Sequence, residues 1–139
     1  MLKPFRLAAF GSALLISTSA NALSASPAGN WITGGGQSVV RFDPCGTGWC
    51  GNIDRVLRPD PAAPTRDVNN PDPALRSRTI LGMRIVELTR VAGDRWKGTI
   101  YDPRSGKSYT ALVKRLAGNV LEVQGCLVIF CRTLRWTAQ

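Results

Sequence analysis

Trp96-Lys97-Gly98-Thr99-Ile100-Tyr101 and Ser108-Tyr109-Thr110-Ala111-Leu112-Val113 are two β-rich runs, and Asp102-Pro103-Arg104-Ser105-Gly106-Lys107 between them carries turn chemistry. Asp102 can open a type I turn, Pro103 presets φ at the next position, and Gly106 can take the positive φ that re-aligns the returning strand. The stretch therefore predicts a β-hairpin.

The same unit recurs on both sides. Downstream, Ala117-Gly118-Asn119 supplies a tight turn and Val120 to Cys126 sets Leu121 and Val123 against Glu122 and Gln124. Leu127 to Phe130 fills the span between two cysteines, and Arg132 to Thr137 follows with Leu134 and Trp136 on one face. Upstream, Ile80 to Val91 is long enough for a helix, but Ile85, Val86, Thr89 and Val91 are β-branched and Ala92-Gly93-Asp94 leads straight into the hairpin. A strand is expected there, with Gly82 permitting a bend.

Nearer the N-terminus, Gly29 to Thr33 is followed by Gly34-Gly35-Gly36, which cannot continue a strand. From Gln37 to Asp43, Ser38, Val40 and Phe42 alternate with Val39, Arg41 and Asp43, as a half-buried strand requires. Pro44 is expected to end it. A turn from Cys45 to Cys50 and a strand from Gly51 to Leu57 complete the series. About eight short strands joined by hairpin-length turns, without helical crossovers, predict an all-β fold: a single antiparallel up-and-down barrel. A barrel of that size is filled by side chains or holds one small ligand.

One segment breaks the pattern. Arg58 to Thr79 holds five of the nine prolines and no apolar periodicity, and a loop of that length in a small domain is usually functional or mobile. Asp67-Val68-Asn69-Asn70-Pro71-Asp72 begins like a calcium loop, but Pro71 stands fifth, Asp72 replaces the sixth-position Gly, and Arg78 replaces the bidentate Glu. Turns capped by the Asp and Asn side chains are the better reading. Arg58, Arg66, Arg76 and Arg78 give this loop a basic fringe.

Met1 to Ala22 has the layout of a secretory signal peptide: Lys3 and Arg6, an apolar run from Leu7 to Ile16, then Ala20-Asn21-Ala22 as an A-x-A cleavage site. The remaining residues, 23–139, make one domain of 139 − 22 = 117 residues, expected in the periplasm or secreted. Removing Lys3 and Arg6 leaves 18 − 2 = 16 basic against 9 acidic side chains, or +7. Outside the cytoplasm that excess points to acidic envelope surfaces or anionic small molecules, not nucleic acid. Cys45, Cys50, Cys126 and Cys131 form two C-x4-C pairs. Four cysteines allow three pairings; an oxidising compartment and short glycine-bearing or strand-end loops favour Cys45–Cys50 and Cys126–Cys131. Each six-residue ring would contribute about 2 kcal/mol. A four-thiolate zinc site lacks the C-x2-C knuckles it normally uses.

The chain contains no histidine, which excludes Ser-His and Cys-His catalysis and the commonest metal ligand. Gly106-Lys107-Ser108 imitates the end of a P-loop, yet Tyr101 occupies the first glycine position and a strand follows. Asp54, Glu87, Asp94, Asp102 and Glu122 could supply a carboxylate pair, but most fall at turns or on polar strand faces. The residues point to neither an enzyme nor a cofactor.

Gly29-Asn30-Trp31, Cys50-Gly51-Asn52-Ile53, Asp67 to Asp72, Gly98 to Pro103, Gly106-Lys107-Ser108-Tyr109 and Cys131-Arg132-Thr133-Leu134-Arg135-Trp136 follow one another as in the DUF2147 family of exported bacterial proteins, which this chain resembles over nearly all of residues 23–139. The resemblance implies a lipocalin-like β-barrel. Gly29-x-Trp31 also resembles the lipocalin signature, in which an Arg from the last strand packs the Trp at the closed end; Arg132 and Arg135 are the candidates, with Trp136 as a further structural aromatic. Relatives often carry a basic residue after the last Trp, where this chain has Ala138.

The expected function is binding of a small apolar or amphipathic molecule, anionic ones included, inside a monomeric barrel, with the Arg58–Thr79 loop at or near the mouth. Met83, Ile85, Ile100, Tyr101, Tyr109 and Leu121 are candidate lining, and Arg76, Arg78 or Arg84 would take an anionic head. The competing expectation is a filled barrel that docks in the envelope through its basic loop.

Overall fold

The computed structural model describes residues 25–139, so the leader expected at Met1–Ala22 lies outside the described residues. Eight strands follow in order: β1 (Gly29–Ile32), β2 (Ser38–Cys45), β3 (Gly48–Val56), β4 (Arg84–Ala92), β5 (Arg95–Asp102), β6 (Lys107–Leu116), β7 (Val120–Leu127) and β8 (Phe130–Ala138). Each pairs antiparallel with the next, and β8 returns to β1, closing an up-and-down barrel.

The deciding hairpin forms in full register, from Arg95 opposite Lys114 to Asp102 opposite Lys107. Its turn is built as its residues dictate. Asp102 accepts a hydrogen bond from the Arg104 amide at 3.0 Å, its carbonyl accepts one from the Gly106 amide at 2.8 Å, and Gly106 sits at φ +70°. Both cysteine pairs are local disulfides, Cys45–Cys50 and Cys126–Cys131.

Two boundaries and the burial of one residue differ from the sequence reading. The strand expected from Ile80 begins only at Arg84, because Gly82 takes φ +83° and the preceding residues turn. Pro44 does not stop β2, which runs to Cys45. β1 pairs only with residues 39–42 of β2, so nothing requires an amide hydrogen at Pro44 on that side. Val39 is fully buried although its pairing with Ile32 puts it on the face opposite inward Val40; the register slip between them leaves Asp54 as the extra residue of β3.

Alternation along the strands sends one set of side chains inward. Trp31, Val40, Phe42, Val86, Leu88, Trp96, Ala111, Val113, Leu121, Val123 and Trp136 form one buried cluster. Three of the four tryptophans lie in it, and Phe42 and Trp136 stack obliquely with ring centres 6.3 Å apart. The indole N–H groups of Trp96 and Trp136 have no acceptor among the described residues, so packing carries this core against a cost of about 1–3 kcal/mol for each unmade bond.

The two ends differ. At one, the segment 25–28 crosses the opening. The Trp31 indole donates to the Pro27 carbonyl at 2.8 Å, Arg115 to Ser26 at 2.8 Å and Arg90 to Ala25 at 2.8 Å. The Arg115 guanidinium lies 4.9 Å from the Trp31 ring centre, and that of Arg90 lies 5.9 Å from Trp96. This corrects the expectation for Trp31: its cation comes from β6, not from Arg132 or Arg135. Arg132 stands opposite Gly125 toward the other end, and Arg135, opposite Glu122, alternates with inward Trp136 and so faces away from the interior. The other end is ringed by segments 33–37, 57–83, 103–106 and 128–129, and is the mouth.

Candidate functional site

The long segment 57–83 is ordered by one buried carboxylate. Asp67 is fully buried, and both of its oxygens are engaged. Oδ1 accepts from the Tyr101 hydroxyl at 2.5 Å; Oδ2 accepts from Asn70 at 2.8 Å and Arg78 at 2.7 Å. Burial pushes its pKa up, but these three donors outweigh burial and hold the carboxyl below its usual value. The same contact, with burial acting first, pushes the Tyr101 phenol up to about 12. Arg76 donates to the Asn70 carbonyl at 2.8 Å, and Arg66 and Thr79 form a β-bridge. Asn70, Asp72 and Asp60 each cap a backbone amide two residues ahead, as expected of this composition.

Two contacts pin the segment to the rim. Leu57 and Arg58 donate their amides to the Gln37 carbonyl, and Asn69 donates to the Arg104 carbonyl at 2.9 Å. Gly106 permits the second, since a Cβ there would fall 1.9 Å from the Asn69 oxygen. Gln37 also accepts from Arg104 Nη1 at 3.1 Å. The β1–β2 loop and the β5–β6 turn are four strands apart around an eight-stranded ring, so this bond straps the mouth across its diameter.

Beside the strap, the inner wall of β5–β8 is only partly covered. Ile100 pairs with Tyr109, and both are half-buried. Gly125, also half-buried, has room above it: a Cβ there would meet Tyr109 and Ile100 no closer than 3.6 Å. Leu134 is 36% exposed, and β8 has no β1 partner among residues 130–136. Arg132 shares this face, being opposite Gly125 and two residues from Leu134, and has no ion-pair or hydrogen-bond partner among the described residues. Leu127 and Phe130, one alternation further out, extend the wall beyond the mouth. The arrangement offers an apolar wall with the unpaired Arg132 at its rim.

The candidate residues separate accordingly. Ile100 and Tyr109 come together at the mouth. Leu121 is inward but fully buried toward the closed end; Met83 is buried beside Ile53, whose amide donates to the Met83 carbonyl at 2.9 Å. Ile85 is the extra residue of a bulge and packs half-buried against the core. Tyr101 does not line the interior: it alternates with inward Ile100 and supports Asp67 from outside. Arg76 and Arg78 tie the loop together through the Asn70 carbonyl and the Asp67 carboxylate. Arg84 lies on the outer wall, 3.5 Å from Glu87, between two external clefts of about 640 and 430 Å³. Sequence reasoning missed Gly125, Arg115 and the Gln37–Arg104 strap. Gly125 had a signal, since it continues the Leu121, Val123 alternation with no side chain.

The raised phenol has a measurable consequence. A folded-state pKa of about 12, above about 10 in the unfolded chain, means that the stabilisation tied to the protonated phenol is intact below pH 10 and is lost as pH rises through 12, by about 2–3 kcal/mol. Urea unfolding between pH 9 and 12 should show this loss in the wild type and not in Tyr101→Phe. Parallel pH profiles for the two proteins would refute it.

A family model described as an uncharacterized protein conserved in bacteria, DUF2147, matches residues 29–138. No curated protein matches the sequence. Among solved structures, the protein HP1028 from Helicobacter pylori, described as belonging to the lipocalin family, is similar with a TM-score of 0.71 and 22% identity, over 83% of this chain and 84% of that one. The likeness is one of fold: an eight-stranded lipocalin-like barrel.

Proposed function

This chain belongs to the DUF2147 family of bacterial proteins, and we propose that it binds a small amphipathic molecule at the barrel mouth. The apolar body lies on Ile100, Tyr109, Gly125 and Leu134, and Arg132 takes an anionic head. One observation carries the reading: a partly covered apolar wall next to an unpartnered arginine, at the end of a barrel whose other end is shut. The buried cluster of three tryptophans and Phe42 fills the closed half, so the ligand sits high. Each square ångström of apolar area covered contributes about 25 cal/mol, and a charge-assisted hydrogen bond to Arg132 about 1.5–3 kcal/mol. Two disulfides and the leader-like N-terminus support placing this activity outside the cytoplasm.

Dodecanoate and its neutral counterpart dodecanol distinguish the parts. Titrations followed by tryptophan emission should show binding of both. Arg132→Ala should weaken dodecanoate about tenfold and leave dodecanol unchanged, whereas Gly125→Leu, which fills the wall, should weaken both. Indifference to both substitutions would remove the site. Failure of the folded wild type to bind either probe would favour the filled-barrel interaction module, which the packing of the closed half supports.

A further inference from the structure

The β7–β8 turn is unlike the other turns of the barrel. Asp102 to Gly106, Gly93-Asp94 and Gly118-Asn119 use turn residues, but here Leu127 pairs with Phe130 across Val128 and Ile129. Leu127, Val128, Ile129 and Phe130 are 43, 91, 81 and 78% exposed. Val128 is at φ +57°, the one non-glycine at positive φ among the described residues, a conformation that a β-branched side chain disfavours. One pair below, Cys126–Cys131 staples the strands. Four apolar side chains are thus held out from the barrel in a backbone shape that glycine or asparagine would adopt with less strain.

The surroundings are basic. Thr110 stands opposite Cys126, and extending that register brings Lys107 level with Ile129. Arg132 lies two residues from Phe130. Neither Lys107 nor Arg132 has an ion-pair partner among the described residues.

We propose that the hairpin tip Leu127–Phe130 inserts into the surface of an anionic phospholipid bilayer, with Lys107 and Arg132 meeting the phosphate headgroups. The chemistry favours lipid over a second copy of this chain. Four residues at a turn bury little of the roughly 1,200–2,000 Å² that a stable protein interface covers, and two copies meeting tip to tip would bring their Lys107 and Arg132 charges together. A bilayer accepts a narrow apolar tip without complementary shape, and its negative surface attracts the flanking cations. The disulfide limits the ordering cost of insertion. This inference does not require that the barrel hold a ligand; if it does, the tip places the mouth, and the wall continued by Leu127 and Phe130, against the membrane.

The test is co-sedimentation with vesicles of phosphatidylethanolamine and phosphatidylglycerol (3:1), with phosphatidylcholine vesicles as the neutral comparison. The proteins compared span residues 23–139, the chain expected after leader removal, so the apolar run from Leu7 to Ile16 contributes to none of them. Wild type should partition onto the anionic vesicles, and Val128→Ser/Ile129→Ser/Phe130→Ser should reduce that partition about a hundredfold. Lys107→Ala/Arg132→Ala should reduce it about tenfold or more on anionic vesicles and little on neutral ones, and raised salt should mimic that loss. Circular dichroism confirms that the variants remain folded, and Phe130→Trp with bromine-labelled acyl chains provides a second readout, quenching of the added indole. Equal partition of wild type and the triple-serine variant, or no quenching, overturns the proposal. So does self-association of the wild type, abolished by the serines, without vesicle binding.

Discussion

Trp31→Ala should lower the folding free energy by about 4–5 kcal/mol, a large part of the 5–15 kcal/mol typical of a domain this size. Trp31 is 1% exposed, so truncation removes one of the largest inward side chains and leaves a cavity between β1, β2 and β6. It also removes the indole that donates to Pro27 and the ring face beneath Arg115. The segment 25–28 then loses one of its three ties to the barrel. Urea denaturation measures the total, and Trp31→Phe divides it: retaining most of the volume, it should cost about 1–2 kcal/mol, chiefly the lost hydrogen bond and poorer packing. Arg115→Ala should cost about 1 kcal/mol. A Trp31→Ala protein within 1 kcal/mol of wild type, by the same denaturation, would mean that the closed end is not a stabilising lock.

Asp67→Ala comes second, at about 3 kcal/mol. Removing one partner from a buried charged pair usually costs about 3–5 kcal/mol. The lower end applies because the Arg78 side chain is 42% exposed and can turn to water, whereas the Tyr101 hydroxyl and the Asn70 amide lose their acceptor in a covered site. The damage should be local: amide hydrogen exchange should rise over residues 57–83 while β6–β8 keep their protection. The pH dependence follows from the depressed folded-state pKa. Stability tied to ionised Asp67 is present above the ordinary carboxylate range and is lost as pH falls through the lower, folded-state value. Asp67→Asn should therefore flatten the acid limb of the stability curve. If exchange in 57–83 is unchanged in Asp67→Ala, the carboxylate does not order the segment.

These two positions show how the barrel is divided. The closed end is an aromatic layer covered by cations and a chain segment. The mouth is bounded by a loop tied to Asp67, a strap from Gln37 to Arg104, and an uncovered wall on β5–β8. Arginines serve both ends, but Arg115, Arg90, Arg78 and Arg76 are held by carbonyls, rings or a carboxylate. Arg132 stands at the mouth without such a partner. The positive charge of the chain is thus largely structural where it is paired, and available where it borders the apolar wall and the β7–β8 tip.

By itself, the amino-acid order determined the barrel. Period-two alternation at Val120–Cys126 and Gln37–Asp43, together with turn residues at 93–94, 102–106 and 117–119, specifies strands and hairpins through contacts between chain neighbours, and those are written locally. The disulfide partners were legible for the same reason, as each pair spans one hairpin or turn. Tertiary structure decided what stands over Trp31, what Asp67 bonds to, and that Arg132 borders the apolar wall unpaired. Arg115 reaches Trp31 only because closure brings β6 to the segment before β1, and Asp67 reaches Tyr101 across 34 residues. Such pairs depend on shear, loop path and the bulges at 39–40 and 51–52, which reassign faces and heights after the strands are set. A long-range contact of this kind leaves no periodicity in the chain, so its partners are determined only when the ring closes.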